Sequence, residues 1–199
     1  MTNKRTNKEE MDIVFLLDRS GSMRGLESDT IGGYNSYLAS QRKNNAKVTT
    51  VLFDDNYELL TNRKDIKDME DLTSTEYYVR GCTALLDAIG KTIKLMDKSG
   101  SQKCIFVITT DGYENASKEY NKAQIKELIE GHKNWEFIYI GADVDSYKEA
   151  SALGISKSNT ANYKKTKDGT RNLFGAVAKA SDMMYECACI NSSWKKELE

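Results

Sequence analysis

The sequence predicts an α/β fold in three layers, with a central, mostly parallel sheet, helices on both faces and one antiparallel edge strand. Three observations carry this. Short apolar runs of strand length alternate with longer amphipathic stretches. The runs at 13–17, 104–108 and 135–140 are apolar on both faces, as strands covered by helices on each side are. The runs at 48–53 and 57–60 are separated only by Asp54, Asp55 and Asn56, a turn-forming linker that closes an antiparallel hairpin at one edge.

The elements follow in chain order. After the 13–17 strand, Ile31, Asn35, Leu38 and Arg42 share one face at helical spacing. After the hairpin, Leu85, Leu86, Ile89, Ile93 and Met96 make a clearer stripe. A helix over 125–129 precedes the 135–140 strand, Asp143 and Asp145 are candidate caps for a helix at 146–153, and a short polar strand is expected within 158–163. Leu173, Phe174, Val177, Ala178, Ser181 and Met184 form the core-facing side of a last helix. The chain has no proline, so glycines and Asx residues mark the turns. No repeat or linker suggests a second domain, which sets the expected organisation as a polar extension (1–11), one domain (12–190) and a polar tail (191–199).

Composition narrows the function classes. Lys and Arg total 29 against 30 for Asp and Glu, so no overall charge bias favours nucleic acid or an anionic membrane. No apolar run approaches the ~20 residues that span a bilayer, and the first ten residues are polar, so a cytoplasmic protein is expected. Cys82, Cys104, Cys187 and Cys189 have neither disulfide-framework nor zinc-ligand spacing and are expected to be reduced, buried or half-buried thiols. The single histidine, His132, lies in a polar Glu-Gly-His-Lys turn and reads as an exposed loop residue.

The chemistry sits where strands end. Asp18, Ser20 and Ser22 follow a buried strand directly, at the position where open α/β sheets collect ligands. Gly21 is expected to let the chain turn so that the two hydroxyls point the same way. Carboxylate and hydroxyl oxygens converging in this way suit a hard divalent cation. Alone the triplet is weak, since Asp-x-Ser-x-Ser arises by chance in on the order of a few per cent of chains this long, and Asp18 and Ser22 as caps of backbone amides remain an alternative. Two further sites strengthen it: Thr83, in Gly81-Cys82-Thr83 at the start of the Leu85 helix, and Asp111, in Thr110-Asp111-Gly112 at the end of another buried strand.

With these five residues the chain resembles the von Willebrand factor A family, whose metal-ion-dependent adhesion site consists of Asp-x-Ser-x-Ser, a distant Thr and a distant Asp, in that order. The likeness in element order extends over residues 12–184. The resemblance implies a Rossmann-like fold and a site in which Asp18, Ser20, Ser22, Thr83 and Asp111 hold Mg²⁺, with Mn²⁺ or Ca²⁺ as alternatives. It implies a non-enzymatic adaptor whose metal binds an Asp or Glu of a protein partner, such as an AAA+ ATPase or a stress-response module. In architecture the chain resembles stand-alone intracellular bacterial or phage members of the family, and Asp111 and Thr83 are the residues that a switch between closed and open states would involve.

Around this site, Arg19, Arg80 and Glu114 are candidate partner-binding rim residues. Balancing Asp18 and Asp111, or plain solvation, is the alternative for the arginines; Asp54, Asp55, Glu114 and Asn115 lie on the same rim, where loop capping is favoured over a second metal. Tyr34, Tyr113 and Tyr147 fit either an interface or core packing. Two rival functions remain. In a Mg²⁺-dependent phosphohydrolase the aspartate nucleophile needs an acid two residues on, where this chain has Ser20. In the other, the metal merely stabilises the loops. No Gly-x-Gly-x-x-Gly, Walker loop or Ser/His pair supports other catalysis.

Overall fold

A computed structural model describes residues 10–142 and 145–198. Six strands, β1 (Met11–Asp18), β2 (Ala46–Phe53), β3 (Tyr57–Asp65), β4 (Cys104–Thr110), β5 (Trp135–Gly141) and β6 (Thr160–Asn162), form one sheet in the order β3-β2-β1-β4-β5-β6. All pairings are parallel except β2 with β3, the hairpin that the 54–56 turn predicts. Among the described residues the α-helices are α1 (Glu27–Gln41), α2 (Leu85–Lys98), α3 (Lys122–Gly131), α4 (Ser146–Ala152) and α5 (Lys167–Cys187). Asp145 caps α4 by accepting from the Lys148 amide at 3.1 Å; Asp143, the other candidate cap, lies outside the described residues.

The period-2 alternation of each strand divides the core in two. Ile13, Phe15 and Leu17 of β1 join Ile105, Val107, Ile138 and Ile140 under α1 and α5. Val14 and Leu16 join Phe106, Ile108, Phe137 and Tyr139 under α2 and α3. The α2 stripe buries as its spacing predicts. Helix α1 does not: it turns Tyr34, Tyr37 and Leu38 inward, while Ile31 and Asn35 are half-buried and Arg42 is exposed. Edge-to-face packing of Phe15 on Tyr34 and Tyr37 explains the rotation, because the two large rings bury more apolar area than Ile31 offers. Tyr34 is thus a core residue, bonded to Thr50 at 2.6 Å, whereas Tyr113 is exposed and Tyr147 is half-buried.

Both sheet edges are protected. Residues 60–63 bulge out of register with β2, with Arg63 in the left-handed region (φ 47°) and its amide bonded to Thr49 Oγ1. The segment expected as a polar tail covers the opposite edge: a short 3₁₀ turn at Ser192–Lys195 buries Trp194 completely, its indole donating to the Ser158 carbonyl at 2.8 Å. Lys195 Nζ donates to the carbonyl of Thr160 at 2.7 Å and to that of Lys157 at 3.2 Å. Two further expectations are corrected. Cys82, Cys187 and Cys189 are exposed and only Cys104 is buried, because the three lie on loop and helix-end positions. His132 is half-buried, stacked on Trp135 (ring centroids 4.1 Å apart) and placed between the Leu128 carbonyl and Asp97, which ties the end of α3 to α2.

Candidate metal site

The sheet order places β1 between β2 and β4, so the chain winds away from β1 in opposite directions on its two sides. The crevice at the carboxyl ends of β1 and β4 is the topological switch point of an open α/β sheet. Four loops converge there. The Arg19 amide donates to Phe53 O at 2.8 Å, the Arg80 amide to Arg19 O at 2.9 Å, the Gly21 amide to Gly81 O at 3.0 Å and the Asn115 amide to Thr83 O at 3.0 Å. Gly81 has φ +66°, and a side chain there would overlap the Asp55 carboxylate, so only glycine permits this crossing. Gly21 acts differently from the expected sharp turn. It is not among the glycines with positive φ; a Cβ there would lie 3.3 Å from the Gly81 carbonyl, so its smallness serves close loop contact.

All five predicted positions meet in this crevice. Asp18 Oδ1 accepts from the Ser20 amide at 2.7 Å and its Oδ2 from Thr110 Oγ1 at 2.6 Å, so the carboxylate also plays the capping role that its spacing allowed. Ser20 Oγ lies 3.0 Å from Ser22 Oγ, which in turn donates to Asp111 Oδ1 at 2.5 Å. Thr83 joins from the start of α2: a Cβ built on Gly112 would meet Ser22 Oγ at 3.1 Å and Thr83 Oγ1 at 3.3 Å, so both hydroxyls border one point. Asp18, Ser20, Thr83 and Asp111 are buried and Ser22 is exposed, which leaves one side of the cluster open to solvent.

The donor set fits a hard cation. Burial pushes the Asp18 carboxyl up to about 6, against the hydrogen bonds from Thr110 and Ser20, and Asp111 raises it further. Two carboxylates and three hydroxyls with no thiol or imidazole among them form an all-oxygen set of the Mg²⁺ and Mn²⁺ type. Asp111 Oδ2 is fully buried and has no aligned hydrogen-bond donor among the described residues; the ammonium of Lys165 lies 2.7 Å away as an ion pair. A buried carboxylate oxygen in this condition is a place where a cation is electrostatically favoured.

The rim differs from expectation at Arg19. Its side chain is fully buried, its Nε donating to Asp54 Oδ2 at 3.0 Å and its Nη2 lying 2.7 Å from Glu58, so it can neither be solvated nor touch a partner. Arg80 also reaches Asp54 Oδ2, at 2.7 Å, but stays 42% exposed, and the Tyr78 ring lies 5.3 Å from both guanidinium groups. Glu114 accepts from the amides of Leu86, Ala116 and Ser117, and Asn115 Oδ1 from the Thr83 amide at 2.9 Å, so both shape the loops that carry Thr83 and Asp111. Sequence reasoning missed Thr110, Asp54 as the shared acid of two arginines, and Lys165. Thr110 adjoins Asp111 and was legible as a strand-end hydroxyl; Lys165 stands in a run of lysines that carries no positional signal.

Fold and crevice together define an α/β domain that gathers carboxylate and hydroxyl oxygens at a sheet switch point. The model for the von Willebrand factor type A domain matches residues 13–114, and the chain belongs to that family. Solved structures share the fold at low identity. The PilB minor pilin from Streptococcus sanguinis superposes with a TM-score of 0.69 at 11% identity, over 91% of this chain and 63% of that one. The vWF domain of the type V pili tip protein Mfa5 from Porphyromonas gingivalis gives 0.66 at 10% identity, over 88% and 96%. Manganese-loaded TRAP protein from Plasmodium vivax gives 0.61 at 15% identity, over 82% and 72%. The chain therefore spans less than two thirds of the PilB chain. No curated protein matches the sequence. Among the described residues no helix is long and apolar enough to cross a membrane.

Proposed function

We propose that this domain is a divalent-metal-dependent protein-interaction module, in which Asp18, Ser20, Ser22, Thr83 and Asp111 hold Mg²⁺ or Mn²⁺ and a partner contributes an Asp or Glu. The observation that carries the reading is the unbroken chain of contacts Thr110–Asp18–Ser20–Ser22–Asp111, with the Thr83 hydroxyl beside it and one side open. When bound, the cation would supply a Lewis-acidic centre for a carboxylate. The chain's own residues do the rest. Thr110 and the Ser20 amide orient Asp18, while Glu114 and Asn115 fix the loops, and the neutral hydroxyls would leave much of a bound cation's charge unmet. Arg80, on the exposed rim, favours an acidic approach. The residue two positions after Asp18 is a serine, so no general acid stands where a phosphohydrolase of the aspartate type needs one, and we read the domain as a binder. Exposed thiols at Cys82, Cys187 and Cys189 support a reducing, cytoplasmic setting.

Calorimetric titration with Mg²⁺ and with Mn²⁺ tests the site, and the expected result is saturable binding that falls at least tenfold in Thr83→Ala and is lost in Asp18→Ala. Thr83→Ala removes one hydroxyl without disturbing the buried carboxylates, so it remains informative should Asp18→Ala unfold. Affinity unchanged in both variants sinks the assignment. Capture of an acidic partner that persists in EDTA would instead favour a metal that only stabilises the loops.

A further inference from the structure

We propose that Lys165 is a built-in counter-ion of the Asp111 carboxylate, so that a divalent cation binds only by displacing its ammonium; this rests on the metal reading above. Lys165 Nζ lies 2.7 Å from Asp111 Oδ2, whose side chain is fully buried, while Lys165 itself keeps 28% exposure and so has a path back to solvent. The placement is built by the backbone. The Thr166 amide donates to the Lys164 carbonyl at 2.7 Å, and Thr166 Oγ1 caps α5 by accepting from the Gly169 amide at 3.1 Å. A side chain at Gly169 would overlap the Lys164 carbonyl, so glycine is what allows the turn to fold onto the first turn of α5. With Ser22 Oγ donating to Oδ1, the ammonium at Oδ2 holds the oxygen that a cation would otherwise use. Two cations that close to one carboxylate repel in a partly desolvated site, and the weaker one gives way. The affinity of the site is therefore set by Lys165 as well as by its oxygen ligands, and metal binding loosens the turn that begins α5.

The test is Mg²⁺ titration by calorimetry of the wild-type chain, Lys165→Met and Lys165→Arg at one ionic strength, with thermal unfolding of each in EDTA and in excess Mg²⁺. Lys165→Met, which keeps length and loses charge, is expected to bind Mg²⁺ about tenfold more tightly, the worth of one charge-assisted contact. Lys165→Arg is expected to stay near wild type. In EDTA the Met variant should melt below the wild type, and in excess Mg²⁺ the two should converge, because the tighter binding offsets the lost contact. Equal or weaker Mg²⁺ affinity in Lys165→Met overturns the counter-ion role while leaving the metal site standing. Absence of Mg²⁺ binding in wild type and Met variant alike overturns both.

Discussion

At the scale of single residues, side chains that serve backbone groups carry much of the loop structure. Asp87, in the first turn of α2, accepts from the amides of Lys118, Glu119 and Tyr120, each at 2.9 Å, and so pins the segment that leads into α3. Burial opposes its ionisation, but those amides, with Lys91, outweigh burial and hold the carboxyl below its ordinary value. A lowered folded pKa gives stability that is complete above the unfolded value of about 3.9 and lost as pH falls through the folded one. Asp87→Ala should therefore cost about 2 kcal/mol at pH 7, and the difference from wild type in urea midpoint should shrink between pH 5 and pH 2.5; a constant difference would rule out the carboxylate as its source. Legibility at this scale was uneven. That the five candidate oxygen donors would meet was readable because spacing and strand ends fix their place, whereas Arg19 was misread, since a guanidinium next to a strand end looks the same in sequence whether Asp54 and Glu58 bury it or water does.

At the scale of elements, hydrophobic period gave the right helices and strands but not always the right face. The α2 stripe was unambiguous; in α1 the aromatic partners Phe15 and Phe174, distant in sequence, decided which side turned inward. Adjacent glycines in α1 make the point measurable. A Cβ at Gly32 meets nothing within 4 Å, while one at Gly33 would run into the Phe174 ring of α5. Gly32→Ala should raise stability by about 0.5 to 1 kcal/mol through helix propensity. Gly33→Ala should lower it, because overpacking of about 1 to 3 kcal/mol exceeds that gain. Thermal melts of the pair give opposite signs, and a shared sign would mean that α1 and α5 are packed less closely than described.

At the scale of the whole molecule, the mostly parallel sheet, its antiparallel edge and its helix-covered faces were legible because apolar runs on both faces admit few other architectures. The closure of the β6 edge was not, since Trp194 sits among polar residues and nothing local marks it as core. Trp194→Ala should cost about 3 to 5 kcal/mol and lower the melting temperature by roughly 10 °C, whereas exposed Lys196→Ala should leave it unchanged. The strand order has a further effect on how the chain is made. Strands β1 to β3 are complete by residue 65, yet β1 is the middle of the sheet and its other neighbour, β4, ends only at residue 110. At about 5 to 20 residues per second, translation leaves that largely apolar strand without its partner for roughly 2 to 9 s. A ribosome stalled before residue 104 would thus display a half-sheet with a sticky border and an Asp18 lacking Thr110 and Asp111, a nascent form that chaperones would recognise and the finished domain conceals.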